Sequence, residues 1–252
     1  MLNTMTLREY APSDREQLVS LWCEVFEDPP ELVGDFLRLL PEMGTCCVAV
    51  KGAQVLGAAY LIDGFTLQVP GQVSRRCGYL YAVAVRHNVR RGGIGAAVSR
   101  GSVALGRERG ADLICTLPAE ESLYRWYEKI LSLNCRCTRT RRYADRLPSA
   151  AAPLSGPEYL MRRERILNRK AHVVPNPAAM EFQQCLCRSY GGGLYASGDA
   201  VFCAYREANR WVIPEYLPDP ADSGQGGFSE TVPYLCSDVP LPDGLIWNLT
   251  FD

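Results

Sequence analysis

The chain has 252 residues, which suits one large domain or two modest ones and is enough to bury a core without a metal or disulfide staple. Hydrophobic residues make up 47% and charged residues 22%, which excludes the compositions of disordered and fibrous proteins. The formal net charge is -1, so no overall positive field would attract nucleic acid or an anionic membrane. Any anionic ligand must be bound by local features.

The 11 cysteines do not indicate a disulfide framework, because their number is odd, the chain is long and no secretory leader is recognisable. The pairs Cys135/Cys137 and Cys185/Cys187 lack the C-x-x-C spacing and the histidine partners of structural zinc sites. We therefore expect reduced thiols and no metal site.

No run of about 18 apolar residues occurs, so we expect a cytoplasmic protein without a membrane partner.

The first part of the chain predicts strands and helices in a mixed order. The predicted elements are a strand over Thr4–Tyr10, helices around Leu18–Phe26 and Leu32–Leu40, and strands over Thr45–Val50, Val55–Phe65 and Cys77–Val85. The segment Glu27–Pro30 breaks the helical pattern, and the turn-like Lys51–Gln54 predicts an antiparallel hairpin.

The next segments alternate between helix and strand. The predictions are a helix over Ile94–Leu105, a short strand over Asp112–Leu117, and a helix over Leu123–Leu131. Strand, helix, strand and helix in succession imply a parallel pair of strands. The arginine-rich run Arg136–Arg146 alternates as an exposed strand does, and it has too few aromatic residues to be a stacking platform for nucleic acid.

A change in composition divides the chain. Small residues between two prolines, Leu147–Pro153, are typical of a linker. We predict a first domain over residues 1–146, a linker over 147–154 and a smaller α+β domain over 155–252. The smaller domain has helices predicted at Glu158–Asn168 and Pro177–Cys187, then strands near Gly193, Val201 and Trp211. It is either an unrelated domain or a degenerate half-copy of the first.

The segment with the clearest chemistry is a strand, a basic loop and a glycine-rich helix start, Cys77–Ala97. Glycines let backbone N–H groups approach a phosphate, and a helix N-terminus adds positive charge. Arg90 and Arg91 supply fixed, forked donors. A P-loop would need Gly-Lys followed by Ser or Thr, and a dinucleotide fingerprint would need a third glycine where Val98 stands.

The pattern Arg90-x-x-Gly93-x-Gly95-Ala96 resembles the acetyl-CoA signature of the GNAT family of N-acetyltransferases, Arg/Gln-x-x-Gly-x-Gly/Ala. The helix around Leu123–Ile130 is similar to the family's Leu-Tyr-Glu-Lys-Leu-Gly-Phe segment. Leu131-Ser132 replaces the usual Gly-Phe, so we expect a remodelled helix end. The resemblance covers about residues 4–145 and implies a GNAT-like acyltransferase fold, a mixed α/β sheet that binds acetyl-CoA without a metal.

The resemblance implies that the backbone of residues 83–85 bonds to the pantetheine arm and stabilises the oxyanion. The basic loop and helix start would hold the pyrophosphate. The implied cofactor-binding residues are Val83, Ala84, Val85, Arg90, Arg91, Gly92, Gly93, Ile94, Gly95 and Ala96.

Tyr127 aligns with the family tyrosine that faces the sulfur, so the resemblance implies that it protonates the leaving thiolate. A purely structural role in the apolar stripe of its helix is the alternative. Tyr124 would take the catalytic role if the helix end rotates. The resemblance places Glu27 and Asp28 at the acceptor pocket, but capping of the second helix is the preferred interpretation. His87 is expected to border phosphate or solvent.

The resemblance implies transfer of an acetyl group from acetyl-CoA to a primary amine of a small molecule or peptide. The alternatives are a non-catalytic acyl-CoA-binding module and a structural pairing protein. The acceptor and the oligomeric state, a homodimer included, stay open.

Overall fold

The structure is a computed structural model that describes residues 5–219 and 227–251. The chain forms two compact units, each made of three segments. Unit 1 comprises Met1–Thr66, Arg75–Arg136 and Leu235–Leu241, and unit 2 comprises Leu67–Ser74, Cys137–Tyr234 and Pro242–Asp252. The predicted linker, residues 147–154, lies within the Cys137–Tyr234 segment of unit 2.

Unit 1 contains the elements that the first part of the sequence predicts. They are β1 (Thr6–Glu9), α1 (Arg15–Phe26), α2 (Pro30–Met43), β2 (Gly44–Lys51), β3 (Gln54–Gln68), β4 (Arg75–Val85), α3 (Ile94–Glu108), β5 (Leu113–Thr116) and α4 (Glu121–Leu131). The last two residues of β3 belong to unit 2.

The strands of unit 1 form a mixed sheet in the order β1-β2-β3-β4-β5. β2 pairs antiparallel with β1 and β3, and β4 pairs parallel with β5, which confirms the predicted hairpin and the predicted parallel pair. The end of a late strand, which we number β12 (Gly227–Ser237), pairs antiparallel with β5, where Cys236 lies opposite Thr116.

Helix α3 packs closely on the sheet because it carries glycines. A Cβ atom at Gly106 would lie 1.7 Å from Leu61 Cδ2, and one at Gly101 would lie 2.3 Å from Cys47 Sγ. This close packing fixes the position of α3, and therefore of its N-terminus, against β2 and β3.

Unit 2 is an α+β unit. Its elements are β6 (Cys135–Ala144, from Cys137 on), β7 (Ala152–Pro153), α5 (Gly156–Leu167), β8 (His172–Pro175), α6 (Pro177–Ser189), β9 (Gly193–Ser197), β10 (Ala200–Glu207), β11 (Arg210–Leu217) and β12 as far as Tyr234. The strands run in the order β6-β11-β10-β9-β7 with antiparallel pairs. A helix followed by three strands also occurs in unit 1, and the half-copy stays a prediction.

Three arginines of strand β6 contact side chains of unit 2. The Arg139 guanidinium lies 4.2 Å from the Tyr234 ring centroid. Arg141 Nη2 donates to the Tyr205 hydroxyl at 3.1 Å, and Arg142 forms an ion pair with Asp219. These contacts pair three arginines of the run with groups of the same unit.

Unit 2 has a buried ionic cluster at α5. The Arg163 side chain is fully buried, and its Nε and Nη2 donate to the Glu215 carboxylate at 2.9 and 3.1 Å. The Tyr159 hydroxyl donates to the same carboxylate at 2.9 Å, and Arg163 Nη1 donates to the Val173 carbonyl at 2.9 Å. Each buried charge therefore has partners, as burial requires.

His172 extends this cluster. Its Nδ1 lies 2.8 Å from the Lys170 carbonyl and its Nε2 lies 3.0 Å from Glu164 Oε2, so both ring nitrogens face acceptors. Burial disfavours the imidazolium, but the hydrogen bonds to Glu164 and Lys170 outweigh it and raise the pKa of His172 above its usual value. The folded protein therefore keeps the imidazolium, in which both nitrogens donate, to a higher pH than an unperturbed histidine would.

This raised pKa predicts a stability that depends on pH. The stabilisation is complete below the unfolded-state pKa of histidine and is lost as pH rises through the higher pKa of the folded state. We expect amide hydrogens of unit 2 to be less protected at pH 8.5 than at pH 6.5, after correction for intrinsic exchange rates. The His172→Gln variant should lose this difference. Equal protection of the wild type at both pH values would contradict the raised pKa of His172.

All 11 cysteines lie within the described residues, and none of them forms a disulfide bond there. No helix in the described ranges is both long and apolar enough to cross a membrane. Over residues 5–219 and 227–251, no group of three His, Cys, Asp or Glu side chains could hold a metal ion.

Candidate active site

Strand β4 contains an irregularity at Ala82. Ala82 has φ 48°, a left-handed conformation that is uncommon for a residue with a Cβ atom. β4 pairs with β5 as far as Leu80 opposite Thr116, and β4 then continues to Val85. The end of β4 therefore has no pairing with β5, and its backbone on that side can bond to a ligand.

Ala82 also changes which side chains share a face. Leu80 belongs to the apolar cluster formed with α3 and α4, and Val83 and Val85 pack against the same cluster. In a regular strand, positions separated by an odd number face opposite sides. The left-handed Ala82 thus interrupts the alternation, so that Val83 and Val85 pack against the same cluster as Leu80.

The basic loop, residues 86–93, connects β4 to α3. Arg91 has φ 70° and Gly93 has φ 78°, and left-handed residues in such loops turn backbone N–H groups toward one concave side. Gly93 is the N-cap of α3 and has no side chain to bond to the first-turn N–H groups. Those N–H groups and the helix dipole suit an anion. Arg90 Nε donates to the Val85 carbonyl at 3.2 Å.

A cavity of about 640 Å³ lies between the end of β4, the start of α3 and the first half of α4, all within unit 1. It is lined by Val25, Val83, Val85, Arg90, Arg91, Gly93, Ile94, Gly95, Ala96, Ser122, Leu123, Trp126 and Tyr127. The predicted catalytic tyrosine and most of the predicted cofactor-binding residues therefore line one cavity.

Two predicted cofactor-binding residues do not line it. The Ala84 side chain is buried, and Ala84 lies between two cavity-lining residues of β4, whose side chains alternate in direction. Gly92 is exposed in the basic loop. The predicted role of Ala84 is a backbone role, which the direction of its side chain does not affect.

Tyr127 lines the cavity and is 7% exposed. Burial raises the pKa of Tyr127 to about 12, although the Thr116 hydroxyl opposes this shift by favouring the phenolate. The phenol therefore stays protonated at neutral pH, so it is available as a proton donor and does not act as a base.

Tyr124 does not line the cavity. It is 3% exposed, and the Arg136 guanidinium lies 4.8 Å from its ring centroid. Arg136 also donates to Glu121 at 2.9 Å. Tyr124 therefore belongs to the packing of α4, whereas Tyr127 lines the cavity.

Helix α4 ends at Leu131-Ser132 in a left-handed turn. The helix continues through Leu131, and Ser132 closes it with φ 59° and an N–H bond to the Glu128 carbonyl at 2.9 Å. Glycine commonly takes this left-handed position at a helix end. The buried Leu133 follows. At this helix end, Ser132 thus adopts the left-handed conformation that glycine commonly adopts.

The acidic turn between α1 and α2 does not cap α2, which corrects the preferred interpretation. The N-cap of α2 is Pro29, and no side chain bonds there among the described residues. Asp28 Oδ2 instead accepts from Trp22 Nε1 at 2.7 Å. Glu27 closes α1 with φ 61°. Pro29 cannot supply a side-chain oxygen, and the indole of Trp22 competes for the carboxylate.

Sequence reasoning missed four lining residues, Val25, Ser122, Leu123 and Trp126. Trp126 lies near the α3 start, where a Cβ atom at Gly95 would be 3.6 Å from its Cζ2. Leu123 and Trp126 belong to the predicted apolar stripe of α4, three residues apart. Val25 belongs to the stripe of α1, and nothing in its local pattern shows that one edge of the stripe faces a cavity.

Residues 6–128 match the family model described as an acetyltransferase (GNAT) domain. No curated protein matches the chain by sequence. The following solved structures are similar to it. A probable N-acyltransferase from Enterococcus faecalis V583, a conserved protein of unknown function, has 12% identity and a TM-score of 0.67, over 93% of this chain and 72% of that one.

A GCN5-related N-acetyltransferase from Kribbella flavida has 15% identity and a TM-score of 0.62, over 92% of this chain and 70% of that one. Eis1 from Mycobacterium abscessus has 15% identity and a TM-score of 0.61, over 88% of this chain, which spans 61% of the length of Eis1. At such identities the likeness concerns the fold, and it extends over both units. Residues 6–128, just under half of the chain, thus match the model of an acetyltransferase (GNAT) domain, and the structural neighbours include GCN5-related N-acetyltransferases.

Proposed function

We propose that the chain transfers the acetyl group of acetyl-CoA to a primary amine of a small molecule or peptide. The observation that carries this proposal is a single cavity lined by the basic loop, the α3 N-terminus, the end of β4 and Tyr127. Acetyl-CoA has a pyrophosphate, an extended amide-containing arm and a thioester. The pyrophosphate suits the anion site at the basic loop and the α3 N-terminus. The amide-containing arm suits the end of β4, whose backbone is not paired with β5, and the thioester suits the proton donor Tyr127.

In the proposed reaction, the neutral amine attacks the thioester carbonyl carbon and forms the C–N bond. A backbone N–H of residues 83–85 stabilises the developing oxyanion. The C–S bond then breaks, and the sulfur leaves with the electron pair as a thiolate. Tyr127 donates its phenolic proton to the thiolate, the amine gives up a proton to solvent, and solvent returns a proton to Tyr127.

The first test is the thermal unfolding midpoint with and without acetyl-CoA. Ligand at about 100 times its Kd adds about 2.7 kcal/mol to the free energy of unfolding. For a chain of this length, this corresponds to a rise of roughly 5 to 10 °C. We expect the rise to disappear in the variant Arg90→Glu/Arg91→Glu, in which repulsion of phosphate replaces attraction.

A matched control is Arg162→Glu/Arg165→Glu, a charge reversal at two exposed residues of α5 that do not line the cavity. This variant should keep the rise. An unchanged thermal unfolding midpoint of the wild type at saturating acetyl-CoA would refute the proposal. A rise without release of CoA thiol, over a broad set of amines, would favour the non-catalytic acyl-CoA-binding module instead.

A further inference from the structure

Glu24 on α1 binds the start of the basic loop. Its Oε2 accepts from Arg86 Nη1 at 2.6 Å, and its Oε1 accepts from the backbone N–H of His87 at 2.9 Å. His87 Nδ1 lies 3.8 Å from the same Oε1. One carboxylate therefore holds the side chain of one loop residue and the backbone of the next.

Arg86 is also bound to β3. Its Nε donates to the Val55 carbonyl at 3.1 Å, and its backbone N–H donates to the Leu56 carbonyl at 2.9 Å. The Arg86 side chain is 16% exposed and that of Glu24 is 29% exposed, so water screens their pairing less than it screens a surface ion pair. The start of the basic loop is thus tied to both β3 and α1.

These contacts lie next to the cavity. Val25, which follows Glu24, lines it, and so do Arg90 and Arg91 of the same loop. Further along the loop, Arg91 and Gly93 occupy left-handed conformations. The positions of these residues depend on where the loop begins, and therefore on how Arg86 and His87 are held. A shift at His87 would displace the N–H groups and arginines that face the pyrophosphate.

Glu24 is poorly suited to act as a base. The hydrogen bond from the His87 N–H, followed by the interaction with Arg86, lowers the pKa of Glu24 below its usual value. A carboxylate of lowered pKa is a weak proton acceptor. Glu24 is also absent from the described lining of the cavity. Its contacts serve the geometry of the loop.

From these contacts we infer that Glu24 is a positioning residue, which holds the basic loop in the conformation that binds the pyrophosphate of CoA. This inference rests on the proposed function. It predicts that Glu24 affects only ligands that contain the pyrophosphate, because the carboxylate acts through the loop and not through the thioester.

The test compares two ligands by calorimetry, CoA and acetyl-pantetheine, which lacks the pyrophosphate and the nucleotide. We expect Glu24→Ala to raise the Kd of CoA about 10-fold or more, since charge-assisted hydrogen bonds are lost. The Kd of acetyl-pantetheine should not change. Glu24→Gln keeps an oxygen for the His87 N–H but loses the ion pair, so its effect on CoA should be intermediate.

Glu16→Ala, an exposed carboxylate on the same helix, is the matched control and should bind both ligands as the wild type does. Unchanged CoA binding by Glu24→Ala would overturn the inference. Equal weakening of both ligands would also overturn it, because that result indicates general damage to the unit. A wild-type protein without CoA affinity would refute the proposed function itself, and the inference with it.

Discussion

Tyr127→Phe is expected to lower kcat by roughly 10²- to 10⁴-fold, the usual contribution of a positioned general acid. The substitution removes the phenolic proton but keeps the ring, which lies 4.8 Å from the Trp126 ring in an edge-on arrangement. Binding of acetyl-CoA should therefore change little. The measurement is the release of CoA thiol with an amine that the wild type acetylates.

The matched control is Tyr124→Phe, which makes the same chemical change on the same helix at a residue outside the cavity lining. It should keep kcat near the wild-type value. Because the pKa of Tyr127 is about 12, the phenol stays protonated between pH 6 and 10, and no loss of activity in that range should come from its ionisation. A Tyr127→Phe enzyme as active as the wild type would show that the tyrosine only packs.

Glu215→Ala is expected to destabilise unit 2 by about 3 to 5 kcal/mol, the usual cost of removing one partner of a buried ion pair. The change leaves the Arg163 guanidinium buried without its carboxylate, and the Tyr159 hydroxyl loses its acceptor. Hydrogen exchange of amides in β10 and β11 measures the loss within unit 2. Exchange in unit 1 serves as the internal reference.

The double variant Arg163→Met/Glu215→Leu should recover much of the lost stability, since it removes both charges and keeps the apolar volume. Tyr159→Phe, which removes only one hydrogen bond to the carboxylate, should cost about 1.5 to 3 kcal/mol. If Glu215→Ala left exchange in β10 and β11 unchanged, the buried ion pair would have no energetic role.

The elements of unit 1 were predictable because their patterns are local. The hairpin of β2 and β3 follows from two β-rich runs and a short turn, and the amphipathic stripe of α4 follows from its spacing. The loop between β4 and α3 was recognisable because glycines and arginines in that order serve few purposes other than anion binding.

Other features depend on contacts between residues far apart in sequence. The carboxylate of Glu24 reaches a loop more than 60 residues away, and nothing in its helix distinguishes it from exposed Glu16. The left-handed Ala82 has an ordinary β-strand sequence around it, so the change of face in β4 is invisible to an alternation rule. The Arg163–Glu215 pair likewise joins a helix to a distant strand.

The return of Leu235–Leu241 to unit 1 has a consequence for the order in which the molecule is completed. Cys236 and Ser237 supply the strand beside β5, and the Asp238 carboxylate binds the Ile114 N–H at 2.9 Å. Once residues 1–146 have been synthesised, every residue that lines the cavity is present. Unit 1 still lacks the strand that pairs with β5, the end of β12. Unit 1 is therefore begun by residues that precede unit 2's long segment, 137–234, and is completed only by residues 235–241, which follow that segment.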